Sequence, residues 1–213
     1  MNIDAIGEDL ALFEGIRTAR AIRRLKPDPV PIELIKKVCE AGTYAPSGGN
    51  RQPWQFIAVT DAERRAFIAT LYRETFTAYI EPAIQAAKAP DYPEAKRRNM
   101  KAAIYLAEHL HEAPVHLFVA GWTRRGMPQS QALFPAIQNV LLACRAVGLG
   151  ASLTTAHRAH GERIDRCLGL DPIKTPTIAL IPIGWPKGRF GRPTRRSIDT
   201  CFFENLVPPG QLT

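Results

Sequence analysis

Acidic residues are in short supply: 20 Asp and Glu stand against 28 Lys and Arg, a formal net charge of +8. That imbalance suits an anionic partner, whether nucleic acid, a membrane surface or a phosphorylated cofactor. Cysteine is sparse too. Cys39, Cys144, Cys167 and Cys201 show no CxxC pairing and no metal-ligand rhythm, which argues against a disulfide framework and for reduced thiols in a cytosol. No apolar run approaches the roughly 20 residues that a membrane span needs. The opening MNIDAIGEDL is acidic and has neither the basic nor the apolar region of a signal peptide. A cytoplasmic protein is expected, with no membrane partner.

The signatures of several large enzyme classes are also missing. The five histidines include no HExxH. His109 and His111 would point in different directions on a helix, and His157 with His160 lacks a nearby Cys or carboxylate, so no metal site is expected. There is no GxSxG elbow and no Walker loop. Gly148-Leu-Gly150-Ala-Ser-Leu153 lacks the third glycine of a dinucleotide fingerprint. The dipeptides Arg64-Arg65, Arg97-Arg98, Arg124-Arg125 and Arg195-Arg196 are scattered and carry no interleaved aromatics, which weighs against nucleic acid.

What the chain does have is a core and frequent punctuation. With 213 residues, 46% hydrophobic and 23% charged, it suits one domain spanning 1–213. Leu10, Phe13 and Ile16 predict a helix over 5–18. The run RAIRRLKPDPVP follows and ends in prolines that cannot continue a helix. Pro31 can open the next one, with Ile32, Ile35, Val38 and Cys39 as its core stripe. QFIAVT at 55–60 reads as a strand, and Asp61 as the cap of the helix after it. Between 78 and 98, Pro82, Pro90 and Pro93 predict helical pieces broken by loops. A helix is expected over 95–111 and a buried strand at VHLFVA, 115–120. FPAIQNVLLACRAV at 134–147 is apolar nearly all round, as in a helix central to the core or to a dimer interface. ASLTT should then form a short strand, a helix should lie near 162–168, and TIALIPI, 177–183, should be the last strand. Helices and strands intermix without βαβ repetition, which predicts an α+β fold.

Three stretches carry chemistry. Arg20-Ala21-Ile22-Arg23-Arg24 places arginines three apart, and guanidinium forks match phosphate oxygens; a solvated basic turn is the plainer alternative. Arg192-Pro-Thr-Arg195-Arg196 lies far downstream, and the two runs would clamp one phosphate if the fold joined them. Between them, YAPSGGNRQPWQF at 44–56 carries Ser47, Asn50 and Gln52. Each amide offers an acceptor and an NH2 donor, suited to the imide-like edge of a flavin or a nucleobase, and the glycines allow close backbone approach. A purely structural turn is the rival, and Trp54 is expected in the core.

In this order, RAIRRLKPDPVP, an apolar helix and APSGGNRQPWQFIAV resemble the N-terminal half of the nitroreductase family of FMN-dependent oxidoreductases. FPAIQNVLLACRAVGLGASL resembles that family's central helix and following strand, and TIALIPIGWPKGRFGRPTRR its last strand and basic C-terminal motif. The likeness spans about 16–197 and leaves 198–213 as a C-terminal arm. It implies a nitroreductase-like α+β fold with a central mixed, mostly antiparallel sheet flanked by helices. It also implies a homodimer with FMN at the subunit interface. NAD(P)H would be the transient donor, and a nitroaromatic, a quinone or a similar acceptor would be reduced in a ping-pong cycle. Carried onto matching positions, Arg20, Ala21 and Arg23 would meet the phosphate and ribityl side, and Arg195 with Arg192 would complete the clamp. Ser47, Asn50 and Gln52 would reach the flavin from the partner subunit, and Thr154 and Thr155 would lie near the isoalloxazine ring. No catalytic acid or base is nominated. The family's usual Arg-Arg-Ser is here Ala19-Arg20-Ala21, and its GYP is Gly184-Trp185-Pro186. The region 73–101 matches nothing in particular and is assigned to the acceptor pocket. Dehalogenation, flavin fragmentation and substrate dehydrogenation are alternatives on the same fold; a basic nucleic-acid-binding protein is an alternative outside it.

Overall fold

The computed structural model describes residues 3–124, 127–128 and 130–208; Arg125 and the end of the expected C-terminal arm lie outside the described residues. Two strands, β2 (Val115–Gly121) and β6 (Thr177–Gly184), are buried along their whole length. A strand covered on both faces has no need to alternate polar and apolar side chains, which is why both read as continuous apolar runs. They pair with each other, β1 (Trp54–Val59) flanks β2, and the two-residue β5 (Gly150–Ala151) flanks β6, in the order β1-β2-β6-β5. Every pairing among the described residues is antiparallel. A separate small hairpin joins β3 (Thr123–Arg124) to β4 (Met127–Pro128).

Helices cover both faces. On one side α2 (Ile32–Thr43) and α5 (Ser130–Ala146) pack Leu34, Ile35, Val38, Leu133, Ile137 and Val140 against Leu117 and Val119 of β2. On the other, α3 (Ala62–Ala86) and α4 (Glu94–His109) pack Ile68, Leu71, Tyr72 and Leu106 against Phe118 and Leu180. The period-2 alternation of Leu117, Phe118 and Val119 sends successive side chains to opposite cores. At Gly42 a Cβ would stand 2.8 Å from Phe56 Cζ and 2.9 Å from Val140 Cγ2, so glycine lets α2 approach α5 closely. Two short helices complete the fold, α1 (Leu12–Thr18) and α6 (Gly161–Cys167).

Helix ends follow local chemistry. Asp61 caps α3 by accepting from the Arg64 N–H at 2.9 Å. At the end of α5, Gly148 adopts φ +81°, and the Gly148 and Leu149 N–H groups donate to the Arg145 and Cys144 carbonyls. This paired closure turns the chain straight into β5.

Three expectations change. The first helix begins only at Leu12, after a single turn at Ile3–Ala5, with Gly7 at φ +85° between them. Pro82 does not break α3, which continues to Ala86. The ring frees only the carbonyl four residues back, on a stretch open to water, and the buried anchors Ile68 to Phe76 lie upstream. The ASLTT strand shrinks to Gly150–Ala151 plus an isolated bridge from Thr154 to Leu180.

Candidate active site

The basic run 20–26 is an extended strap laid along β5 and the chain after β6. Ile22 and Leu25 are buried and hold it down. The Ile22 N–H donates to the Ala151 carbonyl at 2.9 Å, Lys26 N–H to Trp185 at 2.8 Å, and Lys187 N–H to Arg24 at 2.9 Å. Gly150 makes this possible, because a Cβ there would meet Ile22 Cγ2 at 2.7 Å and Leu25 Cδ2 at 2.8 Å. With the two apolar residues pinned inward, the arginines between and before them are left to face other groups.

Beside the strap lies a cavity of about 220 Å³ whose wall includes Arg20, Ala21, Arg145, Ser152, Phe190 and Arg195. No Asp or Glu lines it. The fold therefore brings Arg20 and Arg195 to one space, although they are far apart in the chain. Arg192 is not on that wall; its guanidinium pairs with Glu14 at 3.2 Å on the exposed surface. The hydroxyl of Ser152 is buried and has no partner among the described residues.

Arg23 continues the positive surface. It is half-buried, and loss of solvation lowers its pKa, with Tyr72 working the other way and Arg20 adding to the depression. Tyr72 is almost wholly buried, and its hydroxyl lies 3.0 Å from Thr154 Oγ1. Burial raises the phenol pKa, partly offset by the Thr154 hydrogen bond and by Arg23. Thr154 is thus tied to α3 and, through its backbone, to Leu180 of β6. Thr155 is exposed, at the start of the turn Ala156–His160.

The amide loop sits elsewhere on the chain. Ser47 and Gly48, with Arg51, Pro53, Trp122 and Thr123, line a separate cavity of about 330 Å³. The Gln52 N–H donates to Ser47 Oγ at 3.0 Å and the Gln52 amide to Asn50 Oδ1 at 3.2 Å. Gly49, Asn50 and Gln52 take φ values of +63°, +51° and +49°. Left-handed Asn and Gln in one loop are strained positions that concentrate at functional sites. Trp54 is in the core, 8% exposed. Among the described residues, no group of three or more His, Cys, Asp or Glu is placed to hold a metal ion, and no helix is long and apolar enough to cross a membrane.

Sequence reasoning missed Arg145, Ser152 and Tyr72. Arg145 carried a signal, a lone charge in an otherwise apolar helix; the other two carried none.

An α+β sheet with an acid-free arginine cavity at one edge and a strained amide loop at another has the charge and hydrogen-bonding groups that an anionic, polar cofactor needs. Residues 16–185 match the Nitroreductase family, and the chain belongs to that family. The 5,6-dimethylbenzimidazole synthase of Rhodospirillum rubrum is 32% identical over 188 residues, covering 83% of this chain and 81% of that protein. An iodotyrosine deiodinase of Daphnia pulex is 25% identical, covering 86% of this chain but 62% of its own length. The fold is shared with iodotyrosine deiodinase bound to FMN and 3-iodo-L-tyrosine, at TM-score 0.73 and 20% identity over 92% of this chain and 100% of that one. It is also shared with the FMN and NADPH-dependent nitroreductase NfnB of a Sphigopyxis strain, at TM-score 0.69 and 22% identity over 93% and 100% of the two chains. The sheet and flanking helices expected from the resemblance are therefore those of the family.

Proposed function

We propose that this protein is an FMN-dependent oxidoreductase that takes reducing equivalents from NAD(P)H and passes them to a nitroaromatic, a quinone or a similar planar acceptor in a ping-pong cycle. The observation that carries the reading is the cavity where Arg20 and Arg195 converge with no carboxylate to neutralise them. The residues present fit a phosphorylated flavin: guanidinium groups for the phosphate, and a buried hydroxyl left unpaired at Ser152. FMN, when bound, supplies the hydride chemistry that no side chain of the chain could perform.

The chain's own residues bind and orient. Arg20 and Arg195 hold the phosphate end, and Ala21 lets the strap come close. Arg23, half-buried and without a carboxylate partner among the described residues, is a fixed positive charge that favours electron-rich ligand atoms beside it. Thr154, held by Tyr72, presents its hydroxyl from a rigid position, with Thr155 exposed next to it. The cavity of about 220 Å³ is below the roughly 300–1,000 Å³ usual for a ligand pocket. Ser47, Asn50 and Gln52 do not share it, and they complete the site from a second copy in a homodimer. No acid or base is assigned, and water supplies protons at an open pocket.

The test is optical. The purified protein should be yellow, and its flavin absorbance should bleach when NADH or NADPH is added under argon and return with a quinone or nitroaromatic. A second reading, flavin chemistry other than acceptor reduction, is kept by the 32% identity to the Rhodospirillum synthase. Colour that resists both nicotinamides would favour that reading. A colourless protein that cannot be reconstituted with FMN would overturn both.

A further inference from the structure

Three polar side chains on the arginine cavity, Gln138, Arg145 and Ser152, belong to neither basic motif. Arg145 comes from the last turn of α5 and Ser152 from the residue after β5. Ala19 and Ala21 line the same space and bring no polar side-chain atom to it. Arg145 is held before any ligand arrives. Its Nε donates to Thr18 Oγ1 at 2.8 Å, and Thr18 in turn donates its hydroxyl hydrogen to the Glu14 carbonyl at 2.6 Å. The guanidinium carbon lies 4.4 Å from the centre of the Phe190 ring. One edge and one face are thus occupied, while no carboxylate pairs with the remaining two nitrogens among the described residues. Three guanidinium groups, from Arg20, Arg145 and Arg195, share one wall without an acid. Like charges facing one half-enclosed space repel, and a multiply charged anion between them would relieve that repulsion. Ser152 adds an independent sign. The residue is 2% exposed and its hydroxyl has no partner among the described residues, an arrangement that costs free energy unless a ligand oxygen completes it.

We propose that Arg145 and Ser152 bind the phosphate of FMN, Arg145 as a third guanidinium and Ser152 as a hydroxyl donor. They add polar groups to a wall to which Ala19 and Ala21 contribute none. The assignment rests on the FMN reading above. A phosphate monoester offers enough oxygens for all four groups, and the orientation fixed by Thr18 and Phe190 lets Arg145 meet it without losing much further side-chain freedom.

The experiment compares FMN with riboflavin, which has the same ring and ribityl chain but no phosphate. The full chain is stripped of flavin and titrated with each, following the quenching of flavin fluorescence. Wild type should prefer FMN by about a hundredfold or more. Arg145→Gln should weaken FMN by about tenfold or more, and Ser152→Ala by roughly three- to tenfold, each with riboflavin unchanged. Arg145→Lys should recover part of the loss. Because general unfolding weakens both flavins alike, the ratio isolates the phosphate contact. Variants that weaken both flavins equally, or neither, overturn the proposal and make the two residues structural. If wild type itself binds neither flavin, the FMN reading falls with it, an outcome distinct from a wild type whose preference survives both substitutions.

Discussion

Replacing Gly150 by alanine tests whether the strap is seated by contact with β5. The added Cβ would stand 2.7 Å from Ile22 Cγ2, 3.1 Å from Ile22 Cβ and 2.8 Å from Leu25 Cδ2. Leu25 can swing a terminal methyl aside, but the γ2 methyl of Ile22 hangs directly from a β-branched carbon and cannot yield alone. The strap must lift, against the 2.9 Å hydrogen bond from Ile22 N–H to Ala151. Overpacking of this kind costs about 1–3 kcal/mol. In a chain of this length each kcal/mol lowers the melting temperature by about 2–4 °C. Arg20 stands two residues before Ile22, so the same lift displaces its guanidinium from the cavity. Losing one charge-assisted hydrogen bond there, worth about 1.5–3 kcal/mol, weakens FMN by roughly 10- to 100-fold and riboflavin much less. The control is Gly42→Ala, whose Cβ would meet Phe56 Cζ at 2.8 Å and Val140 Cγ2 at 2.9 Å in the α2–α5 contact, away from the strap. It should lose comparable stability yet keep the FMN-over-riboflavin ratio. Thermal unfolding of the flavin-free protein and paired titrations read both effects. If Gly150→Ala leaves the ratio intact, or Gly42→Ala lowers it equally, Gly150 does not position the arginines.

Two further outcomes follow from the buried polar groups. His116 and His157 are held neutral by loss of solvation, with pKa values pushed down to about 4. Folded values below the unfolded value of about 6.5 mean that the unfolded chain takes up protons first, so stability should fall as pH drops from about 6.5 to 4, by roughly 3 kcal/mol per histidine. Asp165, raised by burial, takes up its proton in the folded state before the unfolded chain does, so it offsets part of this fall at pH values above its ordinary value of about 3.8. Urea midpoints measured across that window should decline, and a flat profile would contradict the burial of both rings. Tyr72→Phe removes the 3.0 Å bond to Thr154 and should cost about 1 kcal/mol in urea unfolding. It leaves the phosphate contacts alone, so the ratio of FMN to riboflavin affinity should hold, and a fall in that ratio would place Tyr72 in the clamp.

The fold was legible in the sequence wherever burial was extreme or capping local. VHLFVA and TIALIPI announced β2 and β6 because both faces of those strands are covered, and Asp61 announced α3 because its carboxylate meets the Arg64 N–H. Pro82 misled, since a proline's effect depends on whether the freed carbonyl meets water, which only the packed structure reveals. The site was legible in a different way. Spacing alone left Arg20, Arg23 and Arg195 open to a surface reading, and it was the order of motifs that suggested one cavity for Arg20 and Arg195. Arg145 and Tyr72 escaped notice because they sit on helices whose apolar neighbours define the core, and Ser152 because a serine after a glycine-rich turn looks like any other. Their significance comes from which partners they have or lack in space.

What a single chain leaves unresolved points to a second copy. The loop at Ser47–Gln52 holds two non-glycine residues at positive φ, each costing of order 1 kcal/mol, yet it spends its side chains on its own hydrogen bonds and exposes the rest. Nearby, Tyr44 is 79% exposed, and Leu12 and Phe13 are 67% and 66% exposed, around an apolar groove of about 360 Å³ between α1 and α5. Isolated exposed apolar residues need no explanation, but a cluster flanking a strained polar loop does. The homodimer proposed above would account for both, with a second chain covering the apolar groove and its loop reaching the arginine cavity of the first. Subunit association and flavin retention are then linked equilibria, each ligand-like event stabilising the other. In that proposed dimer the backbone strain at Asn50 and Gln52 would be offset across the interface, where the amides would meet the bound cofactor.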